Sequence, residues 1–349
     1  MLAQPVDLVI GVDTHASSHT LVVVDGASGR TRSSLEVSAC RRGYRQALRL
    51  AERQGAVARV WAIEGTGSYG AGLTRFLTER GERVLEIERP ARGRAGSRGR
   101  LKSDRLDAER AARQLLAGTA GATPRLGEAT QALRALATTR EGAVTACTQA
   151  LNQLRALIVS APPELRERLQ GLSEARLLTA CARLRPDQSG SQRAAVALAL
   201  RSLASRVRQL RHEAHTLEKE LTHRIKQLAP ELLDRPGVGP ISAARLLAAW
   251  SHPGRVRSEA AFARLAGTAP IPASSGKTIR HRLDRGGDRQ LNRALHTIAL
   301  TLRRTDPTTQ AYITRRESEG KTSREAIRSL KRYLARSLYR QLEKTTNPT

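Results

Sequence analysis

DLVIGVDTHASSHTLVVVD, residues 7–25, holds two apolar, β-branched runs separated by a short polar stretch. Such runs fit a pleated, buried surface, and the brief polar link between them predicts an antiparallel hairpin. Asp13 closes the first run. An acidic residue there is either strand-end turn chemistry or a group held ready at the edge of a sheet.

The hairpin is followed by alternating strand and helix signals. TRSSLEVSA (31–39) predicts a third strand, and RRGYRQALRLAERQG (41–55) a helix ended by Gly55. VARVWAIEGTG (57–67) predicts a fourth strand with Glu64 at its end. YGAGLTRFLTERG (69–81) predicts a second helix and RVLEIER (83–89) a fifth strand. After the basic loop PARGRAGSRGR (90–100), SDRLDAERAARQLLAG (103–118) predicts a third helix with Ser103 as N-cap. The order β-β-β-α-β-α-β-α is that of ribonuclease H-like folds, so residues 1–125 are expected to form an α/β domain.

Residues 126–230 carry no strand pattern. Leu133, Leu136, Arg140, Cys147, Leu151, Leu154 and Ile158 fall near heptad spacing, as do Leu203, Val207, Leu210, Ala214, Leu217, Leu221, Ile225 and Leu228. SAPPEL and RPDQSGS break the chain between them. Two long helices forming an antiparallel or intersubunit coiled coil are expected, with an ordinary helical bundle as the alternative. Residues 231–349 read as a mainly helical C-terminal domain, making the whole α/β plus all-α. That domain opens with DRPGVGPISAARLLAAW (234–250). Gly237 and Gly239 precede a helix as in a helix-hairpin-helix turn, where backbone N–H groups hold a DNA phosphate. A plain Gly-Pro turn fits the same spacing.

The 349 residues include 60 basic and 32 acidic side chains, for a net charge of +28. A polyanion is the expected partner, nucleic acid foremost. With 53 arginines and 7 lysines, the cations are mostly planar forks that match phosphate oxygens two at a time. Only 2 Trp, 5 Tyr and 2 Phe are present, which argues against a single-strand binder built on stacked bases. The 3 cysteines follow no zinc or disulfide pattern. The first apolar run is short and broken by Asp7, so no signal peptide is expected. No stretch approaches the roughly 20 apolar residues of a membrane span. A cytoplasmic protein without a membrane partner is expected.

In a ribonuclease H-like sheet the first and fourth strands are neighbours, which would bring Asp13 and Glu64 together. Asp104 and Asp107, at i and i+3, share one face of the third helix. Four gathered carboxylates repel one another unless a cation joins them, and Mg²⁺ suits an all-oxygen site. Singly each has a plainer reading: Asp104 as a first-turn aspartate, Asp107 as the partner of Arg110, Glu64 as a cap and Asp13 as a turn residue. Arg94, Arg98, Arg100, Lys102 and Arg105 around the aspartates offer phosphate contacts. A second unusual stretch is LAGTAPIPASSGKTIRHRLDRGGDRQLNRALH (265–296). Ser274 and Ser275 lie in a Pro/Gly loop, followed by Lys277, Arg280, Arg282, Arg285, Arg289 and Arg293. A serine hydroxyl needs activation to act as a nucleophile, and a surface turn accounts for the same residues.

On GVDTH, AIEGTGSYG and KSDRLDA at one end, and PGVGPISAARLL, LAGTAPIPASSGKT, HRLDRGGDRQLNRALH and EGKTSREAIRSLKRYLAR at the other, the chain resembles the DEDD transposases of the insertion sequence 110 family, including its RNA-guided bridge recombinases. The resemblance covers nearly the whole chain. It implies a RuvC-like domain, a coiled-coil middle (126–230) and a C-terminal transposase domain (231–349). It also implies a Mg²⁺-binding tetrad of Asp13, Glu64, Asp104 and Asp107, with a serine nucleophile at Ser275 or, one residue earlier, Ser274. The implied activity is site-specific DNA recombination through a phosphoserine ester, the tetrad of one subunit meeting the serine of another. The implied partners are double-stranded DNA of element ends and target, a structured guide RNA, and further copies of the chain as a dimer or tetramer. Many members carry Lys after the first Asp-x-His, where Ala16 stands here. Two other functions fit the same residues: a junction-resolving nuclease using water, and a non-catalytic DNA-binding dimer.

Overall fold

The computed structural model describes residues 6–55, 57–87, 103–118, 122–125, 127–185, 190–273, 281–282, 284 and 286–344. It divides into two compact units. The first runs to Gly127 and includes Trp250–Ala261; the second comprises Glu128–Ala249 and Phe262–Thr349.

In the first unit, β1 (Leu8–Thr14), β2 (Ser18–Asp25) and β3 (Thr31–Ser38) form an antiparallel meander. After helix α1 (Arg41–Glu52) comes β4 (Arg59–Glu64), then α2 (Ala71–Thr78), β5 (Arg83–Ile87) and α3 (Asp104–Leu116). The sheet order is β3-β2-β1-β4-β5, with β4 parallel to both β1 and β5. Helices cover both faces, so the central strands read as unbroken apolar runs rather than alternating ones. Leu8, Ile10, Val12, Trp61 and Ile63 pack with Ala47 of α1 and Leu73 of α2. Val9, Val22, Val60 and Ala62 pack with Ala108, Ala111 and Leu115 of α3. Gly11 is the seat of α3: a Cβ there would lie 1.9 Å from the Ala108 carbonyl oxygen. Ser103 occupies the N-cap position of α3, but its hydroxyl makes no capping hydrogen bond. Its carbonyl oxygen accepts from the amides of Leu106 and Asp107 instead.

A strap from later in the chain completes this unit. Arg255 donates to the Thr123 carbonyl oxygen at 3.1 Å and pairs with Glu86 at 3.6 Å. Glu86 in turn bridges to Ala122. His252 Nε2 lies 3.3 Å from the Pro124 carbonyl oxygen.

The second unit is nearly all helical. Its long members are α4 (Glu128–Val159) and α7 (Gln192–Leu228), with α5 (Pro163–Leu169) and α6 (Glu174–Ala182) between them. The long helices pair antiparallel within the one chain, Arg140 meeting Glu218 at 2.8 Å while Arg211 reaches Cys147. The buried seam of α7 is Leu200, Ala204, Val207, Ala214, Leu221 and Ile225. Leu203, Leu210 and Leu217, expected in the seam, are half-buried at its rim. Ala204 and Ala214 are buried in the seam, and Leu203 and Leu210 pack against the core from its edge. The short helices α5 and α6, unread in the sequence, close the far end of the pair around Leu165, Leu177 and Cys181.

After a turn at Pro230–Leu232, α8 (Pro240–Trp250) and α9 (Glu259–Leu265) lead to a two-stranded ribbon, β6 (Ile271–Pro272) and β7 (His281–Arg282). Helices α10 (Arg289–Thr305), α11 (Pro307–Ser318) and α12 (Ser323–Lys344) pack on one another. Among the described residues no helix is long and apolar enough to cross a membrane.

Candidate active site

Parallel pairing of β1 with β4 puts their C-terminal ends side by side, with Val12 opposite Ile63. Thr14 fastens the two ends, its hydroxyl donating to the Glu64 carbonyl oxygen at 3.0 Å. Asp13 and Glu64 are both buried here, 8% and 7% exposed, unusual for carboxylates. Beyond Glu64 the chain turns sharply through Gly65 at φ +63°, whose carbonyl oxygen accepts from the Ser68 and Gly70 amides.

Helix α3, seated on Gly11, delivers its first turn to the same edge. His15 Nε2 lies 3.2 Å from Asp13 Oδ2 and 3.5 Å from Asp104 Oδ2. The ligand atoms of Asp13, His15 and Asp104 all fall within 4.8 Å of one another. Glu64 and Asp107 lie outside this group. Asp107 turns to Arg110 at 2.6 Å, the partner its i, i+3 spacing offers. His15 is absent from the expected tetrad, though Asp13 and His15 are two apart on an extended chain and so project to one side.

His19 of β2 is fully buried and stacks on Tyr44 of α1, ring centroids 5.8 Å apart. Among the described residues, neither of its ring nitrogens meets a side-chain hydrogen-bond partner. Burial is the main cause that pushes its pKa below the usual imidazole value.

Arg105 is exposed beside Asp104, whereas Arg94, Arg98, Arg100 and Lys102 lie outside the described residues. In the second unit, Gly237 adopts φ +79° against Leu302, and a Cβ on Gly239 would meet nothing within 4 Å. The face preceding α8 is thus open at Gly239. Arg282 on β7 and Arg289 at the start of α10 are exposed. Arg293 is held by Glu141, which also accepts from Arg245 at 3.1 Å. Ser274, Ser275, Lys277, Arg280 and Arg285 fall outside the described residues.

Comparison with known proteins finds similarity in both the N-terminal and the C-terminal part of the chain. A transposase family profile of the IS110 DEDD type matches residues 10–163. The profile described as Transposase IS116/IS110/IS902 family matches residues 229–314. The insertion element IS110 uncharacterized 43.6 kDa protein of Streptomyces coelicolor is 33% identical over 148 residues, 42% of this chain and 36% of that protein. The insertion element IS900 uncharacterized 42 kDa protein of Mycobacterium paratuberculosis is 38% identical over 105 residues, 29% of this chain and 26% of that one. The matched segments thus span about a third or less of those relatives. The chain carries IS110/IS116/IS902-family transposase domains, the DEDD domain first.

Proposed function

We propose that the chain is a DNA transposase that cleaves and rejoins phosphodiester bonds with an acidic, cation-holding site and a serine nucleophile. The observation that carries this reading is the meeting of Asp13 and Asp104 on His15, from elements far apart in sequence. Glu64 lies buried at the end of the adjoining parallel strand. The strand order 3-2-1-4-5 supports a ribonuclease H-like, RuvC-like fold for this unit.

The donor set fits a divalent cation. Asp13, Glu64 and Asp104 offer the oxygens Mg²⁺ takes, and the His15 imidazole widens the choice toward Mn²⁺. Asp107 completes the tetrad on exchanging Arg110 for the site. Such an ion, when bound, supplies positive charge to the phosphate oxygens. The chain's own groups do the rest. Ser275 Oγ bonds to the scissile phosphorus, and the deoxyribose oxygen that leaves takes the serine proton. Ser274 is the neighbouring alternative. The ester conserves the bond energy, so reversal onto another strand rejoins DNA without an outside source. The basic residues around each half, among them Arg105, Arg282 and Arg289, hold phosphates. Gly237 and Gly239 present backbone amides for the same purpose. A structured guide RNA, a homo-oligomer that joins the acidic site of one subunit to the serine of another, and a division into regions 1–125, 126–230 and 231–349 belong to the same proposal.

The test is cleavage of labelled element-end DNA by full-length protein. Asp13→Asn and Glu64→Gln should abolish cleavage with Mg²⁺ while leaving DNA binding intact. Ser275→Ala should bind DNA but form no covalent adduct on denaturing gels. Full cleavage in EDTA overturns the cation site. Recombination by a Ser274→Ala/Ser275→Ala double variant overturns the serine and leaves hydrolysis by water.

A further inference from the structure

The far end of the helical pair, where α5, the end of α6 and the first turns of α7 meet, encloses a cavity of about 270 Å³. Its floor is apolar: Leu165, Leu184, Ala194 and Ala197, all buried. Its rim is cationic. Arg168 comes from α5, Arg183 and Arg185 follow α6, and Arg193 stands in the first turn of α7; all four are exposed. No carboxylate lines the cavity among the described residues. Glu164 meets Arg193 at 3.5 Å, but both side chains are more than half exposed, where an ion pair contributes little.

Like charges gathered at one mouth repel, and an anion between them turns that repulsion into attraction. The first turn of α7 adds to the same field, because amides without partners inside a helix leave partial positive charge at its N-terminus. Ser191 caps one of them, the Ala194 amide, at 3.2 Å. Guanidinium forks match phosphate oxygens two at a time. The volume lies below the roughly 300–1,000 Å³ of sites that enclose whole drug-sized ligands, and it suits a single phosphodiester unit. A second copy of the chain is a poor occupant, since it brings a net charge of +28 to the same mouth.

We propose that this cavity is a phosphate site, holding one backbone phosphodiester of bound nucleic acid between Arg168, Arg183 and Arg185, with Arg193 at its edge. It uses none of the residues of the acidic site. The cavity stands on its own geometry; the choice of nucleic acid as the source of the phosphate rests on the transposase reading above. At about 1.5 Å per residue α7 is about 55 Å long, so a phosphate held here lies far from one held at Gly237–Gly239, beyond the helix's other end.

The experiment uses the full chain with two probes, inorganic phosphate and nucleic acid. Phosphate at constant ionic strength should slow phenylglyoxal modification of Arg168, Arg183 and Arg185 severalfold, read by peptide mapping. Arg201 and Arg208, exposed on α7 outside the cavity, should stay unprotected. Arg168→Gln/Arg183→Gln should weaken nucleic-acid binding about tenfold and lower its salt slope by about one to two. Arg201→Gln/Arg208→Gln removes the same charge and should weaken binding by less than about threefold. Duplex DNA and a folded RNA hairpin are titrated separately, and the one whose affinity falls identifies the source of the phosphate. Equal effects of the two double variants overturn the nucleic-acid contact. Phosphate protection no greater at the rim than at Arg201 and Arg208 overturns the anion site. If the wild-type protein binds neither nucleic acid, the transposase reading fails, while phosphate protection still decides the cavity. Should Arg168→Gln/Arg183→Gln not fold, protection of the wild-type chain by each nucleic acid in turn decides instead.

Discussion

At the scale of single residues, His15 is the addition to the expected site. It sits between the two carboxylates that meet, and its imidazole suits Mn²⁺ better than Mg²⁺. His15→Ala should raise the cation concentration needed for half-maximal cleavage by about 10- to 100-fold, and by more with Mn²⁺ than with Mg²⁺. Equal sensitivity to both ions would place His15 outside the coordinating set. His19 makes a different prediction. Its pKa is lowered on folding, so between about 6.5 and that lower value the unfolded chain binds more protons. Stability should therefore fall as pH drops through this window and level off below it. His19→Leu should raise the melting temperature and flatten its pH dependence, read by thermal unfolding between about pH 8 and 5. The positions of Asp13, Glu64, Asp104 and Asp107 near the ends or starts of elements were legible in the sequence. Which of them face one another was not legible, since the rotation of α3 about its axis decides whether Asp107 turns to the site or to Arg110.

At the scale of elements, the placement of α3 controls the site. Gly11 is its contact point, and a methyl group 1.9 Å from the Ala108 carbonyl oxygen cannot be absorbed by a side-chain shift. Gly11→Ala should push α3 off the sheet, costing about 1–3 kcal/mol in denaturant unfolding. Cleavage should fall far more than that loss explains, because Asp104 moves with the helix. Wild-type cleavage in this variant would mean that α3 does not hold the reacting geometry. A glycine inside a strand signals such an approach, but the strand's apolar run hides it. In the helical pair, Leu154 is fully buried against the α7 seam, and Leu154→Ala should cost about 2–5 kcal/mol by the same measurement. The five strands and two long helices could be read from hydrophobic period. The exact seam could not, because alanine counts weakly in a heptad pattern yet governs how closely two helices approach. The short helices α5 and α6 are about two turns each, too brief for periodicity to distinguish from the breaks that flank them.

At the scale of the whole molecule, a net charge of +28 is the dominant physical fact. On the proposed reading, DNA affinity should fall by about 10³-fold or more between roughly 50 and 200 mM salt if six or more phosphates are engaged. A shallow salt slope in an equilibrium binding titration would argue against an extended backbone contact. The discontinuity of the first unit has a consequence for biosynthesis. Its five strands and three helices emerge from the ribosome early, but Trp250–Ala261, whose Arg255 holds Glu86 and the Thr123 carbonyl, follows only after the entire α4–α7 pair has been made. At about 5–20 residues per second, the nascent sheet waits on the order of ten seconds for its last segment. A chain released during that interval has the acidic residues but lacks the strap. The acidic unit is thus closed only on a polypeptide already long enough to have made the helical pair.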